Sequence, residues 1–153
     1  MKKSKYLYIS YCVNKTMNTE ERIAIRQVGK PQKESMDSLV FWFCESLDLP
    51  SKEGIGPTML KEIISSSIQG RGITSKELNR KLSAPRTTVI YNLNRLIYSG
   101  MVVRKGRKYY LREVDMTRTL EGLQADMDRE FGRMIEFAEK IDAMIESDIY
   151  GRK

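Results

Sequence analysis

The chain has 153 residues, 41% of them hydrophobic and 31% charged, and carries a net charge of +7. That is room for one compact domain with extensions, and it excludes both wholesale disorder and two full domains. No apolar run approaches the roughly 20 residues that span a bilayer, and the Lys-rich start has tyrosines where a secretory leader would have a clean apolar segment, so a cytoplasmic protein with no membrane partner is expected.

Histidine is absent. Its absence removes the commonest general base, the Ser-His and Cys-His nucleophile pairs and the commonest nitrogen ligand for zinc. Neither GxxxxGK(S/T) nor GxGxxG occurs, and no acidic cluster stands at a suggestive place. A binding protein is therefore expected rather than an enzyme, with no catalytic residue, no metal and no cofactor. Cys12 and Cys44 each lie in an apolar stretch without a CxxC partner, which predicts buried free thiols.

Residues 1–33 read as a basic extension, with eight basic residues against two acidic. YLYISYCV alternates Leu7, Ile9, Tyr11 and Val13 on one face and offers a hairpin partner to RIAIRQVG. A short helix from Glu20 to Val28, stopped by Gly29 and Pro31, reads equally well, as does a disordered arm.

Residues 34–112 read as one domain. Met36, Leu39, Val40, Phe43 and Leu47 recur at helical spacing until Pro50. GIGP is a turn, and Pro57 to Gln69 follows as a second helix with Leu60, Ile63, Ile64 and Ile68 on one apolar face. After GRG, Thr74 opens a third helix with a capping box, Glu77 lying three residues on and Leu78 and Leu82 pointing inward. Pro85 opens the fourth. Its core face is Val89, Leu93, Leu96 and Ile97, and its opposite face Thr87, Tyr91, Asn94, Arg95 and Tyr98. Gly100 stops it, and MVVRKGRKYYL gives two short strands, Met101 to Arg104 and Lys108 to Leu111, around Gly106. FWF at 41–43 reads as core or dimer interface ahead of a base-stacking platform.

From Asp115 to Ser147 the pattern is helical throughout. Leu120, Met127, Met134 and Ile141 fill one heptad core position and Leu123, Glu130, Phe137 and Met144 the other, while Phe131, Ala138 and Ile145 add a third row. Gly122 and Gly132 fall on the outer face. Thirty-three residues make a rod of roughly 50 Å, too long for so small a domain to cover. Residues 113–153 are thus expected to form a coiled-coil-like dimerisation helix, with Leu120, Leu123, Met127, Phe131, Met134, Phe137, Ile141 and Met144 at the interface.

The charge is unevenly placed. Between Arg71 and Arg112 there are eleven basic residues and one acid, Glu77, whereas residues 34–70 carry a net −4 and residues 113–153 a net −5. A basic centre between acidic helices is the footprint of a polyanion site, since each Lys or Arg brought to a phosphate releases condensed counterions. A basic face kept for solubility is the plainer alternative.

Helix, helix, short turn, helix, Gly and basic hairpin, in that order, is the winged helix-turn-helix arrangement. TSKELNRKLSAPRTTVIYNLNRLIYSGMVVRKGRKYYL, about forty of the 153 residues, resembles the core of ArsR-like and MarR-like bacterial and archaeal transcription regulators: a helix ending in Leu, a short Ser-containing turn, then Thr-Val and spaced leucines before Gly. The resemblance implies a mainly α fold, a winged helix-turn-helix with a short β-hairpin wing and a long C-terminal dimerisation helix. It implies a homodimer that binds double-stranded DNA and regulates transcription, repression ahead of activation.

The resemblance also implies that the helix from Pro85 enters a major groove, with Arg86, Thr87, Ile90 and Tyr91 where such proteins touch bases and Thr88 and Asn94 nearer phosphates. In the wing, Arg104, Lys105, Arg107 and Lys108 would grip the backbone or enter the minor groove. Side-chain chemistry agrees in part: Arg86 can fork to guanine O6 and N7, Ile90 can meet a thymine methyl, and Arg95, by its angle, suits a phosphate. Ile90 borders the buried stripe and reads equally as core. Metal-sensing ArsR-like members bind through Cys and His clusters, which this chain lacks, and no small-molecule effector is named by the sequence. The rival readings are a sequence-independent architectural or single-strand-binding protein, and a winged-helix scaffold that contacts protein.

Overall fold

The computed structural model describes residues 6–10, 22–51 and 54–151. The N-terminal alternatives resolve as strands: β1 (Tyr6–Ser10) pairs antiparallel with β2 (Arg22–Arg26), Tyr6 opposite Arg26. A helix from Glu20 to Val28 is thereby overturned. Ile23 and Ile25 alternate at the period of a strand, and β1 supplies the ladder that a short isolated helix would lack. The readings placed on Tyr11, Cys12 and Val13 lie outside the described residues.

Helix α1 (Met36–Ser46) starts at Ser35, whose Oγ accepts the Ser38 N–H at 3.2 Å. It buries Val40 and Cys44, while Met36, expected inward, is 59% exposed. So apolar a run as LVFWFC offers no single preferred face, and packing chose it. Burial, with Glu45 nearby, pushes the free Cys44 thiol up to about 12.

Helix α2 (Ile55–Ile68) begins two residues ahead of Pro57. Gly56 is required there, because a Cβ would collide with the Pro50 carbonyl. The expected face also turns: Ile68 is exposed, and Ser66 and Ser67 are buried in its place. Both hydroxyls are satisfied, Ser66 Oγ donating to the Ile63 carbonyl at 3.1 Å and Ser67 Oγ accepting the Leu111 N–H at 2.8 Å.

A two-residue strand, β3 (Ile73–Thr74), leads into α3 (Ser75–Leu82), with the capping box in place: Thr74 Oγ1 accepts the Glu77 N–H at 3.2 Å and Glu77 Oε2 accepts the Thr74 N–H at 2.7 Å. These bonds from Thr74 hold the Glu77 carboxyl below its ordinary value. Ser83, in a left-handed conformation, and Ala84 turn the chain, and Pro85 precedes α4 (Arg86–Tyr98).

Strands β4 (Val102–Lys105) and β5 (Lys108–Leu111) form a hairpin through Gly106 and Arg107, Lys105 opposite Lys108, so Lys105 belongs to the strand rather than to the turn. β3 joins on the other side of β5, giving a small antiparallel sheet in the order β3-β5-β4. Asp115, its side chain accepting the Arg118 N–H at 2.8 Å, then caps α5 (Met116–Tyr150), 35 residues long.

The described residues are thus mainly helical, five helices with the three-stranded sheet and the β1-β2 pair. Met59, Ile63, Leu78, Val89, Leu93 and Leu111 join in one core, to which α5 contributes Leu123. None of these helices is long and apolar enough to cross a membrane.

Candidate nucleic-acid interface

α4 separates its faces cleanly. Val89, Leu93 and Leu96 are buried, and Ile90 and Ile97 pack half-buried against the same core. On the outer side Arg86, Thr87, Tyr91 and Asn94 are exposed. Thr87, Tyr91 and Asn94 stand at i, i+4 and i+7, one line along the helix. The side chains of these four residues have no hydrogen-bond or ion-pair partner among the described residues. No acidic residue lies in the first turn of α4, so its unpaired N–H groups and Arg86 add positive potential at the same end.

Two further residues expected to contact DNA are less available than these four. Arg95 donates from Nη2 to the Asp48 carbonyl at 3.1 Å, and the Asp48 carboxylate takes Arg26 at 3.1 Å, so Arg95 braces α4 against the end of α1. Thr88 is half-buried, and its carbonyl accepts Asn92 Nδ2 at 2.8 Å. Asn92 itself is buried beside Gly56, its Oδ1 without a hydrogen-bond partner among the described residues, a polar residue that the apolar stripe did not announce.

The hairpin cations are exposed but differently held. Arg104 donates to the Gly106 carbonyl at 2.9 Å and lies 5.9 Å from the Tyr109 ring centre, while Lys105 stands 5.5 Å from that of Tyr110. Lys108 donates to the Arg71 carbonyl at 2.9 Å, which roots the hairpin on the α2–β3 connection. Arg107, in the turn, has no hydrogen-bond or ion-pair partner among the described residues. Beneath Lys105, the Tyr110 ring lies on Gly72, whose φ of +63° and contact with the ring both exclude a Cβ. Pairing of Thr74 with Lys108 sets the basic turn beside the start of α3, where Lys76 is exposed, and Arg80 is exposed in the last turn of the same helix. The one acid of this region, Glu77, spends its carboxylate on Thr74.

The residues expected at a dimer interface divide in two. Leu123 is buried in the chain's own core, with Leu120 and Met127 half-buried against it. Phe131, Met134, Phe137, Ile141 and Met144 are bare, and so are Ile135 and Ile149, which the heptad reading missed. At the root of the helix the buried Asp126 carboxylate pairs with Arg112 at 2.5 Å and with Arg129. The Arg112 guanidinium passes over Gly122, so Gly122 is half-buried rather than on a free outer face; Gly132 has open space around it.

Of the FWF run, Phe41 is exposed, while Trp42 sits edge-on to Phe43 and donates from Nε1 to the Gly29 carbonyl at 3.0 Å. Among the described residues no group of three or more Cys, Asp or Glu side chains converges to hold a metal ion. Comparisons of the chain with protein families, with curated proteins and with solved structures find no match.

Proposed function

We propose that the protein is a winged helix-turn-helix transcription regulator that reads double-stranded DNA as a homodimer and represses by occupying promoter DNA. The observation that carries this reading is α4, sealed into the core along one face while Arg86, Thr87, Tyr91 and Asn94 stand in solvent without a partner among the described residues. A buried polar group needs a partner, whereas an idle row of donors on a rigid helix is a surface available to one. The order α2, β3, α3, α4, β4, β5, the strand order β3-β5-β4 and the basic hairpin support the same arrangement.

In this reading α4 lies in the major groove, with Arg86 forked to a guanine and Tyr91 reaching a base edge or phosphate. Ile90 is too far into the core to offer more than its edge to a thymine methyl. Lys105 and Arg107 are the wing residues freest to meet DNA, because a contact by Lys108 would cost its bond to Arg71. Arg95 acts first as the brace that fixes the angle of α4. A dimer would present two such helices to a pseudo-palindrome with half-sites about one helical turn apart.

Selection from a random duplex pool at near-physiological salt, followed by sequencing, tests this. A palindromic site bound about a thousandfold or more above random duplex is expected. Enrichment of no sequence, or equal binding of single strands, would replace sequence-specific reading by the architectural or single-strand alternative.

A further inference from the structure

The bare half of α5 continues the face that its other half buries. With 3.6 residues per turn, Leu120, Leu123 and Met127, which pack on the chain's own core, share a sector of about 60° with Met134, Ala138 and Ile141, which face solvent. α5 is one uninterrupted helix. The domain therefore sits on the same side of the rod as the bare stretch, immediately before it. Eight large apolar side chains between Phe131 and Ile149 are 42% to 68% exposed. At roughly 100 Å² each they offer on the order of 800 Å², one partner's share of a standard interface.

We propose that a second copy of this same stretch covers it, running antiparallel, with the twofold axis crossing the rods between Glu139 and Lys140. This rests on the homodimer reading above and adds the orientation. Rods paired in parallel through this face would lie about 8–10 Å apart at Phe131. One turn earlier the same face of each rod is already filled by its own domain, so both domains would have to occupy a gap one side-chain layer wide. Straight helices do not open such a gap within a turn or two. In the antiparallel arrangement the partner's rod ends where this chain's domain begins, and each domain lies beyond the other rod's tip. Ala138 then meets the partner's Ile141, and Met134 the partner's Ile145, as alternating layers of one seam.

The rod's edge charges lean the other way. Arg133 and Lys140 flank one side of the face and Glu139 and Glu146 the other, so parallel rods would set unlike edges together. All four are exposed, and Arg133 and Lys140 already pair within the helix, with Glu130 at 2.9 Å and Glu136 at 2.7 Å. Exposed pairs of this kind shift an equilibrium by about fivefold. Overlap of two domains is prohibitive by comparison, so volume decides.

The test is pulsed electron paramagnetic resonance on the full chain, with Cys12 replaced by Ser, buried Cys44 retained, and one nitroxide at Lys140→Cys or at Ser147→Cys. Both positions point the same way from the rod. In the antiparallel dimer the two labels of a pair are nearly level at 140 and offset by roughly 20 Å along the rods at 147, whereas parallel rods give both sites the same separation. A clearly longer distance at 147, a dimer mass by sedimentation and conversion to monomer by Met134→Lys are the expected results. Equal distances at the two sites would overturn the orientation and leave the homodimer standing. A dimer that survives Met134→Lys would move the interface off this face and overturn the proposal in the same way. A monomer for the unsubstituted protein at tens of micromolar would remove the homodimer reading and this inference with it.

Discussion

α4 and the outer half of α5 are both amphipathic helices with one bare face, and the two faces are opposite in kind. α4 packs its apolar side against the core and leaves polar and basic groups unengaged; α5 beyond Phe131 leaves its apolar side open and pairs charges beside it, Arg133 with Glu130 and Lys140 with Glu136. Water tolerates the first face at little cost. The second exposes a continuous apolar patch of the size that marks an interaction surface. The chain thus carries one bare face that is polar and basic and another that is apolar, and the Arg112–Asp126 pair ties the end of β5 to α5 between them.

The contrast predicts two apolar truncations with very different costs. Leu93→Ala, fully buried in α4, should lower unfolding stability by about 2–5 kcal/mol. Met134→Ala, 63% exposed, should change it by less than about 0.5 kcal/mol at protein concentrations where the chain is monomeric, and should act only as concentration rises. Urea denaturation at two concentrations reads both. Equal losses at high dilution would mean that α5 is covered within its own chain, and the comparison would fail.

At the polar face the effects are smaller and differ in kind. If α4 reads bases, Arg86→Ala should cost about 1–3 kcal/mol of binding and relax the preference at one base pair. Lys105→Ala should weaken every duplex alike and lower the slope of log affinity against log salt by about one. Binding titrations of the selected site and of its single-base variants over a salt series separate the two. Sequence-blind losses of the same size for both would remove α4 from base recognition.

How far the sequence spoke depended on whether a feature was local. The capping box at Thr74, the stripe Val89, Leu93, Leu96 and the hairpin around Gly106 all arise from spacings within a few residues, and they fold as their spacing indicates. β3 does not. Two residues carry no periodicity, and Ile73 and Thr74 become a strand only because β5 lies alongside. The burial of Ser66, Ser67 and Asn92 is similarly nonlocal, as Ser67 depends on an amide 44 residues away and Asn92 on the space left by Gly56. At the candidate site, side-chain identities were legible and their commitments were not. Arg95 and Lys108 look as available in sequence as Arg86, yet each spends a donor on a distant carbonyl, of Asp48 and of Arg71.

The smallest predicted effect falls where the local and the nonlocal meet. Thr74 ends β3, opposite Lys108, and caps α3, so one residue ties the hairpin to the start of the helix pair that carries α4. Thr74→Ala removes the side-chain half of the capping box and keeps the strand pairing, and should cost about 1 kcal/mol. It should also change the acid response. Folding holds the Glu77 carboxyl below its ordinary value, mainly through the Thr74 backbone bond and then through its hydroxyl. The contribution of Glu77 is therefore complete at neutral pH and fades as the pH falls through and below the ordinary carboxylate range. Losing the Thr74 hydroxyl brings the folded value nearer the unfolded one, so stability should fall less steeply with acid in Thr74→Ala than in the unsubstituted protein. Thermal unfolding between pH 7 and pH 3 measures this slope; parallel curves for the two proteins would show that the cap and the carboxylate are energetically independent, and that the start of α3 is held by the β3–β5 pairing instead.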